Sequence, residues 1–286
     1  MTEYEKIICW WSGGITSAVA CKIAIDQYGK DKCQSIFIGT MNEDSDTYRF
    51  KKDCEDWYGI PIETITAIGD KFPTIQSVWR HYKSLNVANG AICSSTLKRD
   101  VRLKWQKEND YKYQVFGFDI DEPKRAKSMK INYIEAKPIY PLLLHALTKK
   151  DCIDIVVEAG IEIPNAYKLG FHNNNCFQTM CIQGGIGYWQ KVQREMPDKF
   201  NAMADMEHEL TESKGEPVTM LKDQSEGGGL VFLKPHPRYP HIKDISMMKG
   251  REPKPLMECN GFGCAVNDLE KRNETENEIN FQTELF

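Results

Sequence analysis

A chain of 286 residues, 41% hydrophobic and 27% charged, has the make-up of an ordinary globular protein with room for one large core or two smaller ones, which excludes a disordered or fibrous chain. Its formal net charge of −4 argues against a protein that clamps nucleic acid with its whole surface. No apolar run is long enough to span a bilayer and MTEYEKIICWW is not built like a secretory signal, so the expectation is a cytoplasmic chain with no membrane partner.

The pattern predicts a buried strand over 6–11 (KIICWW), ending at a Ser-Gly-Gly turn. A helix follows with Val19, Ala20, Ile23 and Ala24 on one face and Gly29 as its stop. A second strand, Ser35 to Ile38, leads into a polar acidic loop. Phe50, Cys54, Trp57 and Tyr58 then repeat at helical spacing up to Gly59 and Pro61. Residues 62–68 read as a third strand, 73–85 as a helix, 95–109 as a basic helix and 113–118 as a fourth strand. This alternation predicts an α/β fold, a doubly wound parallel sheet covered on both faces, with its ligand site at the carboxyl ends of the strands.

Beyond about residue 140 the pattern changes. Thr148 to Ala159 reads as a helix capped by Thr148 and stopped by Gly160. Residues 165–187, rich in Asn, Gly and Cys, read as irregular, 188–213 as mostly helical and 225–229 (SEGGG) as a flexible break. The expected division is a nucleotide-binding domain over 1–145, a smaller, mainly helical and irregular cysteine-bearing domain over 146–266, and an acidic tail over 267–286.

A strand-to-helix turn presents backbone N–H groups at the positive end of the helix, where phosphate binds readily. In Ser12-Gly13-Gly14-Ile15-Thr16-Ser17 the glycines admit close approach of the backbone, and Ser12, Thr16 and Ser17 add hydroxyls. Placed after the first strand, this SGGxTS turn resembles the pyrophosphatase (PP-loop) turn of the adenine nucleotide α-hydrolase superfamily. Within it the chain is most similar to the phosphoadenosine phosphosulfate (PAPS) reductase family and its phage and bacterial relatives. Three further segments carry the resemblance in the same order: Thr40 to Phe50, like the acidic segment after the second strand; Ala91 to Lys98 (AICSSTLK), like the cysteine-lysine segment before a helix; and Gly117 to Arg125, like the G-x-x-x-x-E-x-x-R stretch after the fourth strand. Together they cover roughly the first 180 residues.

The resemblance implies an enzyme that binds ATP or a sulfated adenine nucleotide through Ser12–Ser17, with Thr40, Glu43, Asp44, Gly117 and Phe118 along the adenosine. Glu43, Asp44 and Asp46 are also candidates for ribose or magnesium contacts. Lys98 and Arg125, with Arg99, are candidates for phosphate or sulfate contacts. In adenylyl transfer a substrate oxygen would attack the α-phosphorus and expel pyrophosphate, and sulfur could then displace the adenylate. In a reductase a thiolate, here Cys259, would attack the sulfate sulfur and release sulfite. Glu258-Cys259-Asn260-Gly261-Phe262 matches only the Glu-Cys of the reductases' C-terminal element, which ranks that reaction second.

Of ten cysteines, Cys9, Cys21, Cys33, Cys54 and Cys152 read as core or connector thiols. Cys93, Cys176, Cys181, Cys259 and Cys264 lie in loops, and Cys176-x4-Cys181 and Cys259-x4-Cys264 share one spacing. Converging thiolates there would hold zinc or an iron–sulfur centre, and the resemblance favours a 4Fe-4S cluster. A non-catalytic nucleotide- or nucleic-acid-binding module with structural zinc is the rival reading. Basic residues on the 95–109 helix and over 234–254 leave an RNA or DNA acceptor open. A homodimer is a further open expectation. His172, near Cys176, is the one histidine singled out.

Overall fold

The computed structural model describes residues 6–256, except 70, 88, 89 and 226. In chain order it has β1 (Ile7–Trp11), α1 (Ile15–Tyr28), β2 (Cys33–Gly39), α2 (Ser45–Tyr58), β3 (Ile62–Thr66), α3 (Ile75–Tyr82) and a hairpin of β4 (Asn86–Val87) and β5 (Gly90–Ala91). Then come α4 (Ile92–Ser94), a π-helical turn (Ser95–Arg99), α5 (Asp100–Glu108), β6 (Tyr113–Val115), α6 (Pro123–Asn132), β7 (Pro138–Ile139) and α7 (Pro141–Leu144). The rest is α8 (Lys149–Glu158), α9 (Asn165–Lys168), α10 (Ile186–Glu195), α11 (Pro197–Lys214) and β8 to β10 (Leu221–Lys222, Leu230–Phe232, Lys243–Asp244).

Five strands make one all-parallel sheet in the order β3-β2-β1-β6-β7. Alternate residues of β1 serve opposite faces. Ile7, Cys9 and Trp11 pack with residues of α1, α2 and α8, whereas Ile8 and Trp10 pack with Val101 and Trp105 of α5 and Ala126 and Met129 of α6. Cover on both faces is why KIICWW is apolar without alternation. β2 and β3 lie to one side of β1, β6 and β7 to the other, so the crevice at the carboxyl ends of β1 and β6 is the topological switch point.

β7 was not expected, because two residues of strand carry no periodic signal. The basic helix begins earlier than expected, at Ile92, and passes through the π turn before Glu108. Arg102, expected on that helix's basic face, is instead 0% exposed, with its guanidinium 5.1 Å from the Tyr133 ring centre, and burial brings its pKa down to about 10. It donates to Gln106 Oε1 at 2.8 Å; Gln114, which accepts from Trp10 Nε1 at 2.7 Å, completes a polar seam under the sheet.

α8 has the expected Thr148 cap, closed reciprocally by Asp151, and Gly160 follows it at φ 75°. The division at residue 145 does not coincide with the packing. Cys152 and Val156 of α8 share a core with α1, while Ile75, Trp79, Cys93 and Leu97 pack with Phe171, Cys181 and Trp189. The stretch read as mostly helical over 188–213 is so, as two helices broken at Met196 with Pro197 opening α11. The later part also holds a three-stranded sheet, β10-β9-β8, whose strands are too short to show a pattern in sequence. Among the described residues no helix is long and apolar enough to cross a membrane.

Candidate functional site

β1 passes into α1 through Ser12-Gly13-Gly14. Gly13 has φ 88°, a left-handed conformation suited to glycine, and a Cβ there would stand 3.0 Å from Thr47 Cγ2. Gly14 is the N-cap of α1 and supplies no side-chain capping bond. Ser17 Oγ accepts from Ser12 N at 3.0 Å and Ser12 Oγ at 2.9 Å, and donates to Gly14 O at 2.9 Å. Gly117, just past β6, lies against the same turn: a Cβ there would fall 2.7 Å from both Ser17 N and Ser17 Cα.

Two residues that the sequence reading passed over cover this turn. Asn174 Nδ2 donates to Gly13 O at 2.9 Å and to Thr47 Oγ1 at 3.0 Å, fixing the orientation of the Gly13 peptide. Tyr167 Oη accepts from Ile15 N–H at 3.2 Å, one of the groups a phosphate oxygen would use. Gly13, Gly14, Ile15, Thr16 and Ser17 are all buried. An anion binding there must take the place of the Tyr167 hydroxyl. The run Asn173-Asn174-Asn175 was the only signal in sequence, and a polar run in an irregular segment does not say which residue turns inward.

The acidic loop is organised around Glu43, which is 4% exposed. Its Oε1 accepts from Thr40 N at 2.9 Å and Thr40 Oγ1 at 2.7 Å; its Oε2 accepts from Asn42 N at 3.1 Å and Tyr48 Oη at 3.3 Å. Burial and the neighbouring Glu43 carboxylate push the Tyr48 phenol up to about 12. Asp44 is the N-cap of α2, accepting from Asp46 N at 2.9 Å. Burial opposes ionisation of Asp46, but the Arg49 guanidinium and the Asn165 N–H outweigh it and hold the carboxyl below its ordinary range. The carboxylates of this loop thus bind the loop's own backbone, α2 and, through Asp46, the start of α9.

Beyond β2 a small cavity of about 20 Å³, room for about one water, is lined by Thr40, Cys93, Ser94, Lys98, Cys176 and Cys181, among others. Cys93 and Lys98 come from the α4–π-turn segment, Cys176 and Cys181 from the loop before α10. Thr40 Oγ1 and Cys176 Sγ are 3.7 Å apart, and Cys181 N donates to Tyr188 Oη at 3.1 Å. Lys98 is 6% exposed. Ser94, which the sequence reading did not select, is 3% exposed, and its hydroxyl has no hydrogen-bond partner among the described residues. A buried hydroxyl left unbonded costs about 1–3 kcal/mol, and π-helical turns such as Ser95–Arg99 are frequent at functional sites.

Three of the five cysteines expected in loops therefore share a cavity with Thr40 and Lys98, though Cys93 lies in α4 rather than in a loop. They do not yet make a metal centre: among the described residues no three His, Cys, Asp or Glu side chains are grouped to hold an ion. Cys259 and Cys264 lie outside the described residues, as does the tail over 267–286. Cys9, Cys21, Cys33, Cys54 and Cys152 are buried, and burial drives the Cys54 thiol up to about 12, as in an inert core residue.

Arg125, on α6, takes another position. Its guanidinium lies 4.7 Å from the Phe118 ring centre and pairs with Glu122, the N-cap of α6, and it does not line the thiol cavity. His172 is exposed and does not line that cavity either. The site so described consists of the turn at β1, Gly117 and Phe118 after β6, and Thr40 with the thiol cavity beyond β2. No family model matches this chain, and no curated protein shows significant similarity to it.

Proposed function

We propose that the chain is a PP-loop enzyme of the PAPS-reductase-like kind, binding ATP or a sulfated adenine nucleotide for adenylyl-transfer or sulfur chemistry. The observation that carries this reading is the gathering of Cys93, Cys176, Cys181, Thr40 and Lys98 on one cavity at the same sheet edge as the Ser12–Ser17 turn. A core built only for stability has no need to bring thiols, a buried ammonium and an unbonded hydroxyl together.

In this reading the N–H groups of Gly14 to Ser17 hold phosphate oxygens once the Tyr167 hydroxyl has given way. Thr40 lies beside the adenosine, and Lys98 offsets the negative charge that builds on the reacting group. Arg125, stacked on Phe118, is the charge on the β6 side. A 4Fe-4S cluster, with zinc as the alternative, would draw on Cys93, Cys176 and Cys181 and on Cys259 or Cys264. It would supply electron transfer or sulfur binding beside the nucleotide.

Calorimetric titration with ATP tests the reading, on the native chain and on Gly14→Val. The native chain is expected to bind and the folded variant to lose affinity, because a branched side chain would stand where phosphate oxygens approach. Equal binding by both would remove the turn from the site. Pyrophosphate release from ATP, against sulfite release from PAPS, separates the transferase from the reductase.

A further inference from the structure

Beside the thiol cavity lies a second cavity of about 700 Å³, and Gln183 lines both. Its volume is that of a small-molecule site. On one wall α10 begins with Gly184-Gly185-Ile186-Gly187, and its N-cap, Gly185, contributes no side-chain bond. The lining also includes Lys222 of β8 and Arg251 and Lys254 of the chain beyond β10, with Lys214 at the end of α11. Lys214 is paired with Glu216 at 2.9 Å, whereas Lys222, Arg251 and Lys254 have no ion-pair partner among the described residues. Among the described residues, Glu252 is the one carboxylate on the wall.

The basic wall is held in place. A Cβ on Gly187 would fall 2.4 Å from Glu252 O, so the 251–252 backbone rests directly on α10. Gln190 Oε1 accepts from Arg251 N at 3.0 Å, and its Nε2 donates to Met248 O and Lys249 O at 3.2 and 3.3 Å. An excess of cations on a fixed frame beside the N-terminal turn of α10 favours an anion. A cavity of this size, open to solvent along its basic side, in a chain of net charge −4 suits a small molecule better than a nucleic-acid strand, which needs an extended positive track.

We infer that this cavity binds a small organic anion, carrying a phosphate or carboxylate group, whose far end faces the thiol cavity at Gln183. That the anion is the acceptor of the reaction rests on the enzyme reading above; the anion site itself does not.

The test uses the full chain and follows the backbone amides of Gly184, Gly185 and Gly187 by NMR. Glucose 6-phosphate probes the phosphate class and citrate the carboxylate class. Saturable shifts with either one are expected and identify the class; absence of shifts with both overturns the inference. The Lys222→Gln/Lys254→Gln pair, surface changes that leave the fold intact, should weaken the responding probe by about tenfold. Unchanged affinity in that variant would overturn the site, as would a response of these amides to a single-stranded oligonucleotide alone. Gly14→Val should leave probe binding unchanged. If ATP fails to bind the native chain while a probe still shifts these glycines, the nucleotide reading falls and the anion site stands.

Discussion

Gly117→Ala tests the junction on which the site depends. The added Cβ would stand 2.7 Å from Ser17 N and Ser17 Cα and 2.8 Å from the Thr16 carbonyl carbon, all of them backbone atoms. Ordinary contact needs about 3.5 Å, so β6 and the start of α1 must part by about 0.8 Å. No side chain can rotate away to relieve this. Overpacking costs about 1–3 kcal/mol, and the upper half applies where backbone is the obstacle. In a chain of this length that lowers Tm by roughly 3–5 °C. Thermal unfolding followed by circular dichroism reads the loss, with Gly69→Ala, which has nothing within 4 Å of its Cβ, as the control. ATP affinity should fall in the same variant, because the parting displaces the turn. A Gly117→Ala protein that melts with the native chain would refute the packing of β6 against the phosphate turn.

Asn174→Ala leaves the buried Gly13 carbonyl without this donor, so urea unfolding should show a loss of about 1–3 kcal/mol. Anaerobic purification in ample iron should give brown protein with acid-labile sulfide, and Cys176→Ser should bleach it; stoichiometric zinc without sulfide would point to a structural centre. Glu207, fully buried, accepts from Met220 N and Leu233 N at 2.8 and 2.7 Å, yet burial outweighs these bonds and raises its pKa from 4.5 to about 8. Its contribution to stability is therefore whole below about pH 4.5 and drains away as pH rises through about 8. Urea midpoints taken across that window should decline in the native chain, and the decline should be absent from Glu207→Gln whatever that variant's absolute stability.

Where burial imposed a period on the chain, the fold could be read in advance. The apolar run of β1, the helical spacing of Phe50, Cys54 and Tyr58, and the Thr148 cap each follow from local chemistry and stand where expected. β7 and β8 to β10 left no trace because two or three residues cannot display a period of two. Arg102 was misjudged because a cation counts as surface until the ring and the amide that receive it are known, and both lie far along the chain or around the helix. The site divides the same way. Gly13, Gly14 and Gly117 are read from turn chemistry and motif spacing. Asn174, Tyr167 and Ser94 act through contacts that only tertiary packing creates.

The cover on the turn also bears on the order in which the protein is made. Ile15 meets Tyr167 152 positions later, and Gly13 meets Asn174 161 positions later. Arg49, on α2, binds the backbone oxygens of Glu162 and Ile163. A ribosome has therefore released strands β1 to β7 before the residues that finish the turn emerge. Until then the glycines face water, and the nascent sheet exposes a loop open to anions and proteases. A fragment ending at residue 145 would be held in that state, so any anion binding measured on it would report an immature turn rather than the finished one.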